Sequence, residues 1–458
     1  MAVILLIGVV GLFLFSYHFI DQDFLSPINL YLLFSIASVA GMFLMYNQWN
    51  LNEYGVFTTL VYLVGSATYA LGCWMARGLA SHNINRRYAS FPVEEGSETR
   101  IEVSTFKLII IFIICLLSLY GMYSYVIRVG GTSLFSLAQL IQNYRNMRSQ
   151  GTLIGENGRG AIWNLLTYMS RAFAYCSVFV LIKNSVNKQF KKKDVLLLTP
   201  VFMYSAECLL QSNRGGIIQI FFAAIISWFI STKYKDGWKE RVNAKSMKIV
   251  ARIAIILIPI FFGSLILLGR YSTLKGFDFK NYSLVYLSGG VRNLDQFLKE
   301  PTAPPTLIGE ETFVTLHRNM YIKGTNLKNV VRYLEFRKIN GKNIGNIYTA
   351  YRRFYHDFGM MGILILPWLQ GIMLSLLYYK IDRTEGKSKL NFYEVIYCYL
   401  SYTVIYIVID DLFFSTYFSF TGIKVMLIMF IAYFFIFNIS SEKRWIIKMD
   451  LGPFTLGR

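Results

Sequence analysis

The sequence predicts an all-α polytopic membrane protein of about eleven transmembrane helices, with a large extracytoplasmic loop that contains amphipathic helices. Apolar residues make up 55% of the 458 residues and charged residues only 16%, whereas soluble domains carry about 25% charged residues. The mean hydropathy is +0.43. The apolar residues also collect into runs of roughly twenty, the length that spans the ~30 Å hydrocarbon core of a bilayer.

The apolar runs predict the individual spans of a single integral membrane domain, 1–458. They cover residues 2–20, 26–46, 55–79, 107–127, 161–182, 194–210, 215–232, 249–269, 357–379, 393–413 and 422–438. The first run has neither a basic stretch nor a small-residue cleavage site, so we expect it to be a retained helix. All five cysteines lie in the runs without CxxC spacing, which argues against a disulfide framework or a structural zinc site.

The short connections between the runs predict which side faces the cytoplasm. Four of them, 183–193, 233–248, 380–389 and 443–448, are strongly basic, and all four fall on one side if the helices alternate. Lys and Arg favour cytoplasmic connections, so that side should be cytoplasmic and the N-terminus should lie outside. The first connection, Asp21-Gln22-Asp23, falls on the same side although it has no basic residue.

Two long segments are then expected on the outer side, a smaller loop at 128–160 and a large loop at 270–356. In the smaller one, apolar residues recur at helical spacing between Leu134 and Tyr144, which predicts an amphipathic helix over 134–150 at the membrane surface. The large loop, which is broken by prolines near its middle, holds fourteen Lys and Arg against six Asp and Glu. That excess indicates an anionic ligand; the alternative is a solvated loop near anionic lipid headgroups.

Several arginines stand out within this topology. Arg171 lies near the middle of its apolar run, where a charge costs about 2.5–3.5 kcal/mol, and Glu207 in the next run is a candidate structural partner. Arg214 lies in a tight outer turn, Arg270 ends a run at the same surface, and Arg145 lies towards the end of the amphipathic stretch. Both a functional role and a structural Arg171–Glu207 pair remain open.

The strongest local pattern is NIYTAYRRFYHDFGMMG, residues 346–362, which leads from the large loop into an apolar run. If the helix begins one turn before Asp357, then Arg353, His356 and Asp357 share one face. A cation, an imidazole and a carboxylate placed together can bind a phosphate and transfer a proton. The alternative is a helix N-terminus in which Asp357 interacts with the helix dipole and pairs with Arg353.

Short motifs in this chain resemble those of bacterial oligosaccharide repeat-unit polymerases, also called O-antigen polymerases. The strongest are YTAYR at 348–352 and YHDFG at 355–359, and the others are LSP at 25–27, SNRGG at 212–216, YLSGG at 286–290 with the following NL at 293–294, and IG at 308–309 before TF at 312–313. The similarity extends over most of the chain in length, helix count and loop placement. The pair Arg352-Arg353 stands where family members often have one arginine, so its counterpart is open.

The resemblance implies a metal-independent glycosyltransferase of the bacterial cytoplasmic membrane, similar in plan to membrane glycosyltransferases and O-antigen ligases. Its substrates would be undecaprenyl-diphosphate-linked oligosaccharides, and the growing glycan would pass to the next lipid-linked unit at the outer face, releasing undecaprenyl diphosphate. Membrane lipids, a chain-length regulator and a flippase are the other implied partners. No cofactor, metal or nucleic acid is expected, and the product is open between lipopolysaccharide O-antigen, capsule and exopolysaccharide.

This chemistry assigns roles to the singled-out residues. Arginines suit the departing diphosphate, because preorganised cations stabilise the charge that develops on it and guanidinium grips phosphate bidentately. The acceptor hydroxyl must lose a proton, which a carboxylate or an imidazole accepts. The predicted catalytic residues are Arg352, Arg353, His356 and Asp357; the predicted diphosphate ligands are Arg145, Arg171, Arg214 and Arg270; and Glu207, Tyr348 and Tyr355 are predicted to support them.

Two other classes of protein remain open at this stage. A transporter or lipid-linked oligosaccharide flippase would place charges along a path through the membrane, and Arg171 and Glu207 fit that pattern. A metal-dependent membrane glycosyltransferase would use Asp21 and Asp23 as ligands for Mg²⁺ or Mn²⁺, which requires the opposite orientation of the N-terminus.

Overall fold

The computed structural model describes residues 1–20, 22–87, 100–131, 137–149, 159–235, 279–321, 334–381 and 392–437, and these are mostly helical. The helices are α1 (Ala2–Phe19), α2 (Pro27–Phe43), α3 (Val56–Arg87), α4 (Thr105–Gly130), α5 (Leu137–Ser149), α6 (Ala161–Val186), α7 (Leu198–Leu210), α8 (Arg214–Lys235), α9 (Phe279–Lys299), α10 (Val314–Tyr321), α11 (Ala350–Ile381), α12 (Phe392–Leu400), α13 (Tyr402–Tyr406) and α14 (Phe420–Phe437). The predicted span 249–269 and Arg270 lie outside the described residues.

Seven of the described helices are long and apolar enough to cross a membrane, as expected of a membrane-embedded protein. They are α1, α3, α4, α6, α8, α11 and α14. The shorter α2 is also apolar; Pro27 is its first residue, and the Ser26 hydroxyl accepts a hydrogen bond from Asn29 N. A proline at this position and a serine cap are the favoured start of a helix.

The predicted amphipathic helix of the smaller loop is present as α5. Its apolar side chains Leu140, Ile141 and Tyr144 are buried against Met122 on α4 and against the end of α7. Burial of these apolar side chains therefore holds α5 against α4 and α7. The first predicted residues of the helix, 134–136, lie outside the described part of the chain.

Helix α11 begins at Ala350, which is more than one helical turn before Asp357, where the predicted apolar run starts. A break at Gly359, with φ +59° and ψ −145°, separates its polar first turns from the apolar remainder. Glycine adopts this conformation without the steric penalty that a Cβ atom brings. Because α11 starts before Arg353, the residues Arg353, His356 and Asp357 all lie in the helix, as is required for them to share one face.

The predicted span 393–413 is interrupted rather than continuous. It consists of α12, the short α13 and a π-helical turn, Phe413–Tyr417. After α13 the chain pairs with the segment that enters α11, because Ala350 N donates to Ile407 O at 2.8 Å and Tyr348 N donates to Ile409 O at 3.1 Å. This pairing fixes the chain after α13 against the start of α11.

Contacts between helix ends define two opposite ends of the bundle. At one end, here called the basic end, the Asp23 carboxylate accepts from Lys233 Nζ at 2.5 Å and from Tyr378 Oη at 2.5 Å. These partners lie in the last turns of α8 and α11. The opposite end, here called the loop end, contains the first residues of both helices and the segments 44–55, 279–321 and 334–349.

The loop end contains a two-stranded antiparallel hairpin, β1 (Arg337–Ile339) and β2 (Lys342–Gly345), in which Ile339 pairs with Lys342. Its turn is Asn340-Gly341, and both residues have positive φ, 50° and 72°. An Asn-Gly pair is a strong signal for this type of turn. The sequence predicts an all-α protein, and this hairpin is a small exception to that prediction.

Asp295 on α9 holds the loop end together. Its fully buried carboxylate pairs with Arg292 and with Lys299 Nζ at 2.9 Å. It also accepts from Gly55 N at 2.8 Å and from the Thr58 hydroxyl at 2.7 Å, at the start of α3. One carboxylate therefore joins α9 to α3, and Arg292 is buried because this partner is present.

Replacing Asp295 by Ala should lower the free energy of unfolding by about 3–5 kcal/mol, because the buried Arg292 would lose its partner. Thermal melting of the detergent-solubilised protein measures this as a lower midpoint. Glu300→Ala is the matched control, since the Glu300 side chain is 79% exposed and lies one turn further along. Equal midpoints for the two variants would contradict the structural role of Asp295.

Candidate functional site at the loop end

Seven charged side chains meet where α11 begins, and together they form the Glu311 cluster. Its members come from four segments that are far apart in the sequence, and each makes an ion pair or hydrogen bond with another part of the loop end. The cluster consists of Glu311, Glu335, Arg352, Arg353, His356, Asp357 and Asp410.

Arg352 is the most enclosed cation of the cluster. Its guanidinium forms an ion pair with Glu311 and a second one with Glu335, whose Oε2 lies 2.8 Å from Nη2. The guanidinium also stacks over the rings of Phe297 and Tyr348, at 4.6 Å and 5.1 Å from their centroids. With two carboxylates, two rings and a side chain 1% exposed, Arg352 has the environment of a structural cation.

Arg353 pairs with Asp410 through two parallel contacts. Nε lies 2.5 Å from Oδ1 and Nη2 lies 2.8 Å from Oδ2. Nη1 donates to the backbone oxygen of Glu311 at 3.1 Å. Asp410 keeps 27% of its side chain exposed, so this bidentate pair lies at the edge of the cluster and is reached from solvent on the Asp410 side.

Asp357 and His356 have internal partners. The Asp357 side chain is fully buried and accepts from Thr312 N at 2.6 Å and Glu311 N at 3.1 Å. His356 Nδ1 lies 3.0 Å from Asp357 Oδ1, and Nε2 lies 3.1 Å from the Ala303 oxygen. Both ring nitrogens therefore face oxygen atoms of the loop end. In this arrangement the two residues hold the segment before α10.

The two supporting tyrosines line the cluster. The buried Tyr348 hydroxyl accepts from Arg337 Nε at 3.1 Å and donates to the Glu335 oxygen at 3.1 Å. Burial is the main cause that raises the pKa of Tyr348 well above its usual range, so the hydroxyl stays neutral. The ring of Tyr355 packs edge-on against Phe57, 5.8 Å between centroids. Tyr348 therefore orients the hairpin, and Tyr355 contacts α3.

Arg214 is the first residue of α8 and is largely buried. Its Nη2 lies 3.3 Å from the Tyr282 hydroxyl on α9. The close turn before it depends on Gly216, where a Cβ atom would lie 2.6 Å from Cys208 Sγ. The guanidinium and the positive end of the α8 dipole thus coincide, which favours an anion at this position.

Arg171 and Glu207, which the sequence allowed as a structural pair, contact different partners. Arg171 Nη2 donates to Gln219 Oε1 at 3.0 Å, and its guanidinium lies 4.9 Å from the centroid of Tyr399. Glu207 is fully buried and accepts from the Ser170 hydroxyl at 2.7 Å. Of the other predicted diphosphate ligands, Arg145 lies half-buried on α5.

A row of tyrosines leads from Arg214 to Arg353, and we name it the tyrosine row. Tyr282 and Tyr286 are neighbours on α9, with ring centroids 5.0 Å apart. The Tyr406 backbone oxygen accepts from Asp410 N at 2.8 Å, and the Tyr406 hydroxyl is close enough to Tyr286 and Arg353 for their charges to affect it. Rings of Tyr402 and Tyr406 lie 5.3 Å apart, and the row continues to Arg171 through Tyr399 and Tyr417. The row consists of Tyr282, Tyr286, Tyr399, Tyr402, Tyr406 and Tyr417.

Sequence reasoning missed the three acids that neutralise the arginines, Glu311, Glu335 and Asp410. Two of them do have a signal in the sequence. Glu310-Glu311 is an acidic pair within a basic loop, and Asp410-Asp411 ends an otherwise apolar run. Acidic residues at such places are candidates for partners of buried arginines, because buried charges need compensation.

The predicted metal ligands of the alternative glycosyltransferase have a different environment. Asp23 contacts Lys233 and Tyr378, and Asp21 lies outside the described residues. Within the described ranges, no group of three or more His, Cys, Asp or Glu side chains has an arrangement that could hold a metal ion.

Comparisons of the chain with protein-family models, with curated proteins and with solved structures find no match in any of the three.

Asp357→Ala should lower the thermal midpoint, because two backbone N–H groups and the His356 ring would lose their acceptor. An unsatisfied buried donor costs about 1–3 kcal/mol. Asp357→Asn should lie between wild type and Ala, since its amide oxygen still accepts from Thr312 N. Melting curves in detergent provide the measurement, and an Ala variant as stable as wild type would show that these bonds contribute nothing.

Proposed function

We propose that this protein polymerises undecaprenyl-diphosphate-linked oligosaccharide repeat units. The growing glycan is transferred from its lipid carrier to the next lipid-linked unit, at the outer face of a bacterial cytoplasmic membrane. The observation that carries this proposal is the tyrosine row between two arginines, Arg214 and Arg353. The arginines at the two ends of the row can bind diphosphates, and the tyrosines between them can bind sugars.

The proposed topology has eleven crossings, with the loop end outside and the basic end in the cytoplasm. The contact of Asp23 with Lys233 supports this orientation. It brings the first connection, which has no Lys or Arg, to the end of the bundle where the basic connections lie. The residues at 279–321 and 334–356 then belong to the large extracytoplasmic loop, and the count of eleven includes the sequence-predicted run 249–269, which lies outside the described residues.

Of the two adjacent arginines, Arg353 is the better diphosphate ligand. Arg352 has two carboxylate partners and two stacked rings, whereas Arg353 has one carboxylate partner, Asp410, which is partly exposed. An incoming diphosphate carries more negative charge than one carboxylate and binds guanidinium in the same bidentate geometry. Arg214 serves a phosphate at the other end of the row, where the dipole of α8 adds to its charge.

The tyrosine row provides a surface that suits the sugars of the repeat unit. Tyr282, Tyr286 and Tyr406 are half-buried, so part of each side chain is accessible, whereas Tyr399, Tyr402 and Tyr417 are buried behind them. A tyrosine offers a flat apolar face and a hydroxyl that both donates and accepts, which matches the alternating C–H and O–H groups of a sugar. Arg171 lies at the far end of the same row, beside Tyr399.

The reaction itself is a displacement at the anomeric carbon of the donor glycan. The acceptor hydroxyl forms the new C–O bond, and the bond from the anomeric carbon to the diphosphate oxygen breaks. The electron pair leaves with the diphosphate, whose developing charge the arginines stabilise. The hydroxyl proton passes to a base, for which the sequence predicts Asp357 or His356.

A flippase for lipid-linked oligosaccharides is the second candidate. It is favoured by Glu207, a fully buried carboxylate on α7, because ionisable groups within helices often mark a transport path. The two functions differ in their product. With one pool of lipid-linked units in liposomes, a polymerase makes longer chains, whereas a flippase only moves the units across the bilayer.

Arg214→Ala and Arg353→Ala should each reduce polymerisation by about 100-fold or more, since each removes one preorganised cation from the leaving group. The readout is chain length and rate with purified protein and lipid-linked repeat units in liposomes, with and without EDTA. The Lys variants should retain part of the activity, because lysine keeps the charge but binds phosphate at a single point.

Arg100→Ala is the matched control, because the Arg100 side chain is only 10% exposed and also forms an ion pair, with Asp194 at 2.5 Å, but it lies at the basic end. It should polymerise at the wild-type rate once protein amounts are equalised. Wild-type protein that moves lipid-linked units without lengthening them would refute the polymerase and favour the flippase. Loss of polymerisation with EDTA would point to the metal-dependent alternative.

A further inference from the structure

Asp410 is an acid of the Glu311 cluster that can be reached from the tyrosine row. Of the two predicted bases, the Asp357 side chain is fully buried and that of His356 is 8% exposed, whereas the Asp410 side chain is 27% exposed. Asp410 is joined to the tyrosine row through Tyr406, because the Asp410 N–H donates to the Tyr406 backbone oxygen at 2.8 Å. An acceptor sugar that lies on the tyrosine row would therefore meet Asp410 before either predicted base.

The backbone holds Asp410 in a fixed position. Ile407 and Ile409, just before it, accept from the N–H groups of Ala350 and Tyr348. Just after it, Asp411 accepts from Phe414 N at 3.0 Å and from Ser415 N at 2.8 Å, which anchors the π-helical turn. A side chain held in this way on both sides meets the need of a catalytic group for a defined geometry.

The single cation that Asp410 contacts directly among the described residues is Arg353, and it binds both carboxylate oxygens. In this bidentate pair both carboxylate oxygens of Asp410 are engaged by the guanidinium, which keeps them from serving an acceptor hydroxyl. The same guanidinium is the proposed ligand of the diphosphate. Asp410 and the diphosphate are therefore alternative anions for one arginine, and binding of the diphosphate weakens the hold on Asp410.

We propose that Asp410 is the catalytic base of the transfer and that the donor diphosphate releases it from Arg353. This proposal rests on the proposed polymerase function. As the acceptor oxygen bonds to the anomeric carbon, its proton passes to an Asp410 oxygen, and the bond to the diphosphate breaks with its electron pair on the diphosphate. Asp410 then returns the proton to water. The base is thereby active only when a donor is bound.

The test compares Asp410→Asn with wild type in two measurements on the purified full-length protein. In detergent, the affinity for undecaprenyl diphosphate should rise about tenfold, because Arg353 loses a competing anion; a tenfold change corresponds to about 1.4 kcal/mol. In liposomes with lipid-linked units, the rate of polymerisation should fall by about 100-fold or more, the usual contribution of a general base. Arg353→Ala should lower both the affinity and the rate.

Asp410→Glu protects the test against a simple folding defect. It keeps a carboxylate one methylene further out, so it should retain measurable polymerisation and an affinity near that of wild type. Glu300→Gln, an exposed acid of the same loop end, is the matched control and should resemble wild type in both measurements. Melting curves show whether each variant is folded.

The outcomes separate the two proposals. An active wild type with an Asp410→Asn variant that polymerises normally, or that binds undecaprenyl diphosphate less tightly, overturns the role of Asp410. An Asp410→Glu variant that is folded and as inactive as Asn also overturns it. A wild-type protein that binds undecaprenyl diphosphate but never lengthens chains overturns the polymerase function instead.

Discussion

Two adjacent arginines, Arg352 and Arg353, are buried at the start of α11, and most of the loop end is arranged to compensate their charge. An unpaired buried charge costs several kcal/mol, so each guanidinium requires a carboxylate. Asp357, the nearest acid on α11, already accepts hydrogen bonds from the backbone N–H groups of Glu311 and Thr312. The compensating acids therefore come from Glu311, Glu335 and Asp410, which ties the loop, the hairpin and the break after α13 to one helix end.

The break at Gly359 lets this polar cluster and the apolar remainder of α11 be oriented separately. The backbone there has φ +59°, and three residues later Gly362 passes so close to Phe354 that a Cβ atom would lie 2.2 Å from its carbonyl oxygen. Gly359 is required because its backbone has a positive φ, and Gly362 is required because a Cβ atom there would clash with the Phe354 carbonyl oxygen. The cluster can therefore face the loops while the apolar part of α11 packs among the other helices.

The sequence predicts the helices well, because burial in a helix leaves a local signature, a long apolar run. The start of α11 is less predictable, since its polar first turns become favourable only through partners about 40 to 60 residues away, such as Glu311 and Asp410. Those acids carry no periodic signal. The pattern at 346–362 singles out Arg352, Arg353, His356 and Asp357, and all four side chains lie against Glu311. Which of them faces a substrate depends on tertiary burial, which spacing does not encode.

An anion-binding arginine in a largely buried site raises a conflict between stability and affinity. Without a partner, Arg353 would destabilise the substrate-free protein, and with a permanent partner it would not bind an anion. Under the proposed function, Asp410 resolves this conflict: it pairs through two hydrogen bonds but stays partly exposed, and the more highly charged diphosphate replaces it. Arg352, enclosed by two acids and two rings, is held much more tightly. Under the proposed function, that difference in enclosure between adjacent arginines separates a structural cation from one that takes part in the reaction.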